Sequence, residues 1–457
     1  MPVSAIDSLL FKNLFGTHEI RAVFDDKAYI QRCIDVETAL ARCQAKLGII
    51  SEDAGDAITT ACNKVKLDYD RLSRETEIVG DPILPLIRQL TAACSDDVAG
   101  YLHWGATTQD IQDTATVLQM KIGLDVIESK LRGLSDALKV HCKKHNDTVM
   151  AGRTHLQHAL PVTFGYKCAV YLSGVQRHLQ RLEQLRSRCL FVQFGGAAGT
   201  LASLGSDPDI GVQVRAALAK ELDLHDPNIT WHAARDGIAE IINFLALVGG
   251  TLGKTATDIA FMCSNEVSEV SEPFVPHRGA SSTMPQKRNP ISSEVILAAS
   301  KILRSNASLC LDAMLTDFER ATGPWHLEWV AVPESFVVVV GALTQAEFAI
   351  SGLVVNKTAM RQNLNSTHGL IVAEAVMMEL ALHSGRQLAH DVVYEACKKT
   401  IEQGGDTTLL EVLGGTSQVT DAISDDRLRE LCEPGSYLGA AKRMTKDVLG
   451  QVDSALA

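Results

Sequence analysis

The chain has 457 residues, 46% of them hydrophobic, and a net charge of −12. That length buries a large core in roughly two to four domains, and the acidic balance excludes the basic footprint of a nucleic-acid binder while leaving room for a local cationic pocket. No basic segment followed by an apolar one opens the chain, so a cytoplasmic protein is expected. Eleven scattered cysteines without a CxxC pair point to reduced core thiols, and His/Cys spacing for a metal is missing.

In chain order, the first 105 or so residues carry shorter helices and end at Leu102-His103-Trp104-Gly105. From Val117 the apolar positions Met120, Leu124, Ile127, Leu131, Leu134 and Leu138 follow at spacings of 3 and 4, which predicts one long helix with a narrow apolar seam. Cys168, Leu172, Val175, Leu179 and Leu182 repeat the pattern. Ile238–Cys263 is apolar almost all round and is expected to be buried on every side. Ile291–Leu315 and Pro333–Val355 read as two further long helices. The second holds Gln345 and Glu347 in mid-span, which favours a buried helix over a membrane span. Convincing strand alternation is scarce. After Asn356-Lys357 shorter helices return, punctuated by Gly404-Gly405-Asp406 and Glu433-Pro434-Gly435-Ser436. The fold class expected is all-α, with an N-terminal helical domain over 1–105, a central long-helix bundle over 106–358 and a C-terminal helical domain over 359–457. Long helices this apolar also argue for oligomerisation.

Three stretches carry chemistry. Gly279-Ala280-Ser281-Ser282-Thr283-Met284-Pro285-Gln286-Lys287-Arg288-Asn289-Pro290 is a hydroxyl-rich loop leading into a helix, whose first N–H groups are expected to be free for an anion. Lys287 and Asn289 add a cation and an amide donor. His103-Trp104-Gly105-Ala106-Thr107-Thr108-Gln109-Asp110 precedes a long helix; on its own it reads as ordinary N-cap chemistry. Gly152-Arg153-Thr154-His155-Leu156-Gln157-His158-Ala159-Leu160-Pro161 holds two histidines, either of which alone reads as a core histidine.

Together these strings resemble, in order and spacing, the shared regions of the fumarase/aspartase superfamily. The loop matches its signature Gly-Ser-Ser-x-Met-Pro-x-Lys-x-Asn-Pro except at Ala280. Phe194-Gly195-Gly196-Ala197-Ala198-Gly199-Thr200 and Asn363–Ile371 look like the same family, closest to its 3-carboxy-cis,cis-muconate cycloisomerase and adenylosuccinate lyase branches. The resemblance implies a homotetramer in which the long helices of four chains form a twenty-helix core, with an adenylosuccinate lyase-like C-terminal domain and composite active sites each drawn from three subunits. It implies no metal, cofactor, membrane or nucleic-acid partner, and a small polycarboxylate as substrate.

Roles follow residue by residue. Ser281 fills the slot of the general base, which works only where backbone N–H groups and Lys287 stabilise the alkoxide. His155 fills the slot of the histidine that protonates a leaving group, and Glu294, thirteen residues after Ser281, that of its carboxylate partner. Lys287 and Asn289 would hold the carboxylate that becomes the aci form. Thr107, Thr108 and Gln109 would hold another carboxylate, with Thr154, Ser282, Arg320 and His103 also contacting substrate.

Departures from adenylosuccinate lyases direct the choice of branch. Their second histidine is missing from Val79-Gly80-Asp81-Pro82. In Glu319-Arg320-Ala321-Thr322-Gly323-Pro324-Trp325-His326-Leu327-Glu328-Trp329, Trp329 stands where they keep a phosphate-binding arginine. Bacterial cycloisomerases, in turn, commonly have tryptophan where this chain has His155. The expected activity is therefore that of a lyase or cycloisomerase most like 3-carboxy-cis,cis-muconate cycloisomerase. The alternatives are a decarboxylase of an aconitate-type tricarboxylate, an adenylosuccinate lyase, and a non-catalytic helical scaffold.

Overall fold

The computed structural model describes residues 4–320, 322–404 and 406–454; Ala321 and Gly405 of the strings above lie outside the described residues. Five long helices dominate: α1 (Thr108–Lys144), α2 (Phe164–Cys189), α3 (Asp236–Met262), α4 (Ile291–Asp312) and α5 (Trp325–Ser351). The fold is all-α, with short strands as accessories.

The periodic seam of α1 is buried throughout, from Val117 to Leu138. Helix α5 begins at Trp325, eight residues before the expected start, and carries Pro333 in its interior. Proline forfeits one backbone hydrogen bond there, but the buried Ala331, Val332 and Phe336 hold both flanks in the core. The expectation that α3 is buried on every side fails for the single chain, because Leu247 and Phe261 are 54% and 57% exposed. Both α3 and α5 are long and apolar enough to cross a membrane by length and composition, yet 56% and 67% of their apolar windows are buried within the chain.

Two compact units emerge, each assembled from three separated stretches of chain. The first comprises residues 1–130, 178–250 and 298–344. Its core joins Ile34 and Val36 of the Asp26–Lys46 helix to Leu86, Leu90 and Ile111. A second cluster sets Leu40 and Cys43 of that helix against Val192, Phe194 and Leu218. The second unit comprises residues 131–177, 251–297 and 345–457, with a core built from Val376, Leu380, Leu409, Leu413 and Leu428.

The second unit also contains an antiparallel hairpin that the sequence does not announce, β1 (Val149–Thr154) paired with β2 (Gln157–Thr163). Its two-residue turn is His155-Leu156, with φ +51° and +63°. Hairpin turns of that hand favour asparagine and glycine, so the usual signal is missing. A shorter pair, β3 (Val270–Ser271) with β4 (Val354–Val355), lies in the same unit. All eleven cysteines are free thiols.

Candidate active site

In the first unit the start of α1 is organised by Asp110, whose carboxylate is fully buried. One oxygen accepts from Gly195 N (3.0 Å) and His232 Nε2 (2.7 Å); the other accepts from Gly196 N (2.9 Å) and Thr107 N (3.0 Å). The Gly-Gly pair is needed for this approach, since a Cβ on Gly195 would lie 2.5 Å from Thr230 Cγ2, and Gly196 has φ +73°. With Asp110 capping, the threonine hydroxyls are released from that task. Thr107 Oγ1 accepts from Arg320 Nη1 at 2.7 Å, and Thr108 Oγ1 from Nη2 at 3.4 Å. Arg320 Nε donates to Gln109 Oε1 at 3.4 Å. One guanidinium, two hydroxyls and an amide thus converge in a half-buried cluster suited to a carboxylate.

His103 belongs to the same unit. It has φ +62° and Nδ1 lies 2.6 Å from the carboxylate of Glu37, which is completely buried with Oε2 unpartnered. Burial works to lower the pKa of His103, but the Glu37 charge and hydrogen bond overcome it, and the net shift is upward.

In the second unit His155 occupies the exposed hairpin turn, flanked by Thr154. The hairpin is anchored by Arg153, whose guanidinium meets the buried Glu269 carboxylate at 2.7 and 3.0 Å. Asn363 Nδ2 donates to the same carboxylate at 2.9 Å. Two left-handed non-glycine residues in succession store strain, and strain of this kind concentrates at functional sites.

The signature loop stands on a closed neck. Asn289 N donates to Gly279 O at 3.0 Å and Ala280 bridges to Arg288. Gly279 has φ +69°, and a Cβ there would lie 2.4 Å from Asn289 O. Within the loop, Ser281 Oγ accepts from Thr283 N (3.2 Å) and Met284 N (3.1 Å). Two backbone donors aimed at one hydroxyl oxygen are what an alkoxide requires. Ser282 and Lys287 are exposed, and Asn289 is half-buried.

One expectation is overturned. The N–H groups that open α4 are not free for a substrate anion: Ser292 N and Ser293 N donate to Glu272 at 3.0 and 2.8 Å. A carboxylate of the chain itself already fills that positive helix end. The backbone donors that Ser281 Oγ meets are instead the loop's own, Thr283 N and Met284 N. Glu294, in the first turn of α4, is exposed, and among the described residues it forms neither a hydrogen bond nor an ion pair with His155.

The structure therefore brings Thr107, Thr108, Gln109 and Arg320 together in one unit, and places Thr154, His155, Ser281, Ser282, Lys287, Asn289 and Glu294 in the other. The sequence reading missed Asp110, Glu37, Glu269 and Glu272. Asp110 was legible, because Thr107-x-x-Asp110 is a capping-box pattern. The others had no local signal; Glu269 lies 116 positions from Arg153.

Comparison with known proteins agrees with this reading. Residues 14–303 match the family described as Lyase, and residues 369–448 match the adenylosuccinate lyase C-terminus. Trans-aconitate decarboxylase 1 of Mycosarcoma maydis is 43% identical over 97% of this chain and 89% of its own length. A 3-carboxy-cis,cis-muconate cycloisomerase of Pseudomonas aeruginosa is 41% identical over 97% of this chain and 96% of its own. The crystal structure of a fumarate lyase from Mesorhizobium sp. BNC1 superposes with a TM-score of 0.89 at 52% identity, covering 95% of this chain and 98% of that one. The fold and the family match are those of a lyase. The chain belongs to the fumarase/aspartase superfamily and is an enzyme of that class.

Proposed function

We propose that the protein acts on a small polycarboxylate by abstracting a proton from the carbon next to a carboxylate, most like a 3-carboxy-cis,cis-muconate cycloisomerase. The observation that carries this is Ser281 Oγ with its two N–H donors. In the elimination direction Ser281 takes the proton, and the C–H electrons pass into the adjacent carboxylate to give an aci dianion facing Lys287 and Asn289. Those electrons then form the alkene as the bond to the leaving group breaks, and His155, paired with Glu294 of a neighbouring subunit, protonates that group. Lactonisation is the reverse addition: a carboxylate of the substrate adds across the alkene and the proton returns to carbon. The Thr107, Thr108, Gln109 and Arg320 cluster holds a second carboxylate throughout, with His103 nearby in the chain as a further cation.

A second reading, decarboxylation of an aconitate-type tricarboxylate, draws support from the 43% identity to a protein named for that activity. The same aci machinery would stabilise the carbanion left by lost CO2. An adenylosuccinate lyase is disfavoured, because Trp329 offers one donor and no charge to a phosphate.

We further propose that the working form is a homotetramer with composite sites. His155 and Glu294 are not paired within one chain, and the exposed Leu247, Phe261, Leu311, Leu315 and Phe318 call for apolar cover. Mixing inactive Ser281→Ala and His155→Asn chains, with subunit exchange verified, is expected to restore partial activity. Zero activity in verified mixed oligomers refutes composite sites.

A further inference from the structure

In the first unit a cavity of about 290 Å³ opens beside α1 and α5. Its walls include Tyr29, Trp325 and Trp329, the last two packed edge to face at 5.1 Å. Trp329, which stands where adenylosuccinate lyases keep an arginine, lines it, and so does Pro82, from the stretch that lacks their second histidine.

Position relates this cavity to the carboxylate cluster. Thr108, Gln112 and Thr116 recur at intervals of four on α1 and so share one helix face. Thr108 Oγ1 meets Arg320, while Gln112 and Thr116 line the cavity. The cavity thus begins one turn, about 5–6 Å, beyond the cluster. A hydrogen-bonded chain runs the same way: Arg320 to Gln109 at 3.4 Å, then Gln109 Nε2 to Asp113 Oδ2 at 3.2 Å.

Charge and hydrogen bonding specify the occupant. Asp26, Asp113 and Glu328 line the cavity, and among its described lining residues there is no lysine, arginine or histidine. The cation beneath them, Arg235, is 1% exposed and is committed to both carboxylates, with two hydrogen bonds of 2.8 and 2.9 Å to Asp113 and a further pair to Glu328. An anion entering here meets net negative charge and no free cation. Gln112 is 3% exposed; Tyr29 donates to its Oε1 at 3.1 Å, and its Nε2 has no partner among the described residues. A buried amide donor left without an acceptor is rare and calls for one from a ligand.

We propose that this cavity is a specificity subsite that receives an uncharged, hydrogen-bond-accepting substituent, such as an amide, carried by a succinate-type substrate, and that it rejects a carboxylate or phosphate in that position. The proposal rests on the lyase reading above. The aromatic walls cover the substituent's apolar part and Gln112 Nε2 takes its carbonyl oxygen.

The test uses three thioether-substituted succinates of equal tail length, ending in a primary amide, a carboxylate or an ammonium group. Elimination is followed by alkene absorbance near 240 nm, and binding by calorimetry. The amide tail is expected to exceed both others in kcat/KM by about tenfold or more. Gln112→Leu should remove most of that advantage, and Trp329→Arg should raise the carboxylate tail above the amide, with circular dichroism confirming that each variant is folded. A carboxylate or ammonium tail equal to or better than the amide in the native enzyme overturns the subsite, as does an amide advantage untouched by both variants. Elimination without tail preference refutes the subsite and leaves the lyase reading intact. Graded binding without elimination does the reverse, and neither binding nor elimination refutes both.

Discussion

Replacing Asp110 with asparagine keeps the side chain's shape but removes half of its acceptors. The carboxylate serves four donors, two per oxygen: Gly195 N and His232 Nε2 on one, Gly196 N and Thr107 N on the other. Asparagine turns an NH2 toward one of these pairs, so two donors lose their acceptor in a site closed to water. Hydrogen bonds to a charged group contribute about 1.5–3 kcal/mol each. Two of them sum to about 3–6 kcal/mol, and some relaxation of the Gly195-Gly196 backbone brings the expected loss to about 3–5 kcal/mol. Equilibrium urea unfolding measures it, at one fixed protein concentration because oligomerisation shifts the apparent stability. Trp231, whose Nε1 donates to Val192 O at 2.9 Å, reports from close by. The start of α1 should also loosen, so KM for a carboxylate substrate should rise more than kcat falls. A stability change below about 1 kcal/mol, the worth of one neutral hydrogen bond, would show that Asp110 is not the organiser of this region.

Glu37→Gln should move a pH dependence. Because the folded pKa of His103 is raised, its imidazolium persists to a higher pH than an ordinary histidine's, and KM for an anionic substrate should climb as pH rises through that value. Without the Glu37 charge burial prevails, so the climb should shift to lower pH; an unmoved KM profile contradicts the pairing. Gly279→Ala places a Cβ 2.4 Å from Asn289 O at φ +69°; activity should fall at least about tenfold with helix content unchanged, as expected when a positioned base shifts, and near-native kcat/KM would show that the loop neck is tolerant. His145 is 2% exposed with Nε2 unpartnered, and its pKa is pushed down to about 4 by burial, then by His141, Lys357 and Lys144. The unfolded chain therefore binds a proton that the folded chain refuses. Stability should fall as pH drops from the ordinary value of 6.5 toward 4. His145→Phe should flatten that part of the urea-midpoint profile, and an identical slope in native and variant protein excludes His145 as a contributor.

The long helices were legible because spacings of 3 and 4 between apolar residues are a property of the chain alone, and Val117 to Leu138 lie buried as that pattern requires. The chemistry of the loop was legible for a different reason: seven of the eight specified positions of a family's signature are matched, all but that of Ala280. What stayed hidden depended on partners distant in sequence. Glu272 reaches Ser292 and Ser293 across twenty positions, and no local pattern marks it as the cap of α4. The β1–β2 hairpin turns through His155-Leu156, which lack the residues that normally announce such a turn. The start of α5 was misplaced at Pro333 because proline usually opens helices, and here the surrounding core overrides that preference. Glu37 was a plain helix residue until the fold set it 2.6 Å from His103.

The interleaving of the two compact units governs how the chain is made. Neither unit is a continuous stretch: the first needs residues 298–344 to follow 1–130, and the second is completed only by residues after 345. Residue 298 is added 168 residues after residue 130. At about 5–20 residues per second, a ribosome takes roughly 8–34 s to cross that stretch. During that interval α1, α2 and α3 are made in turn while part of their apolar cover does not yet exist. Cooling or slowing synthesis lengthens this vulnerable period, and cutting the gene at 105 separates Leu86 and Leu90 from Ile111 of their shared core. Aggregation during expression should therefore track elongation rate more closely than it tracks the stability of the finished protein.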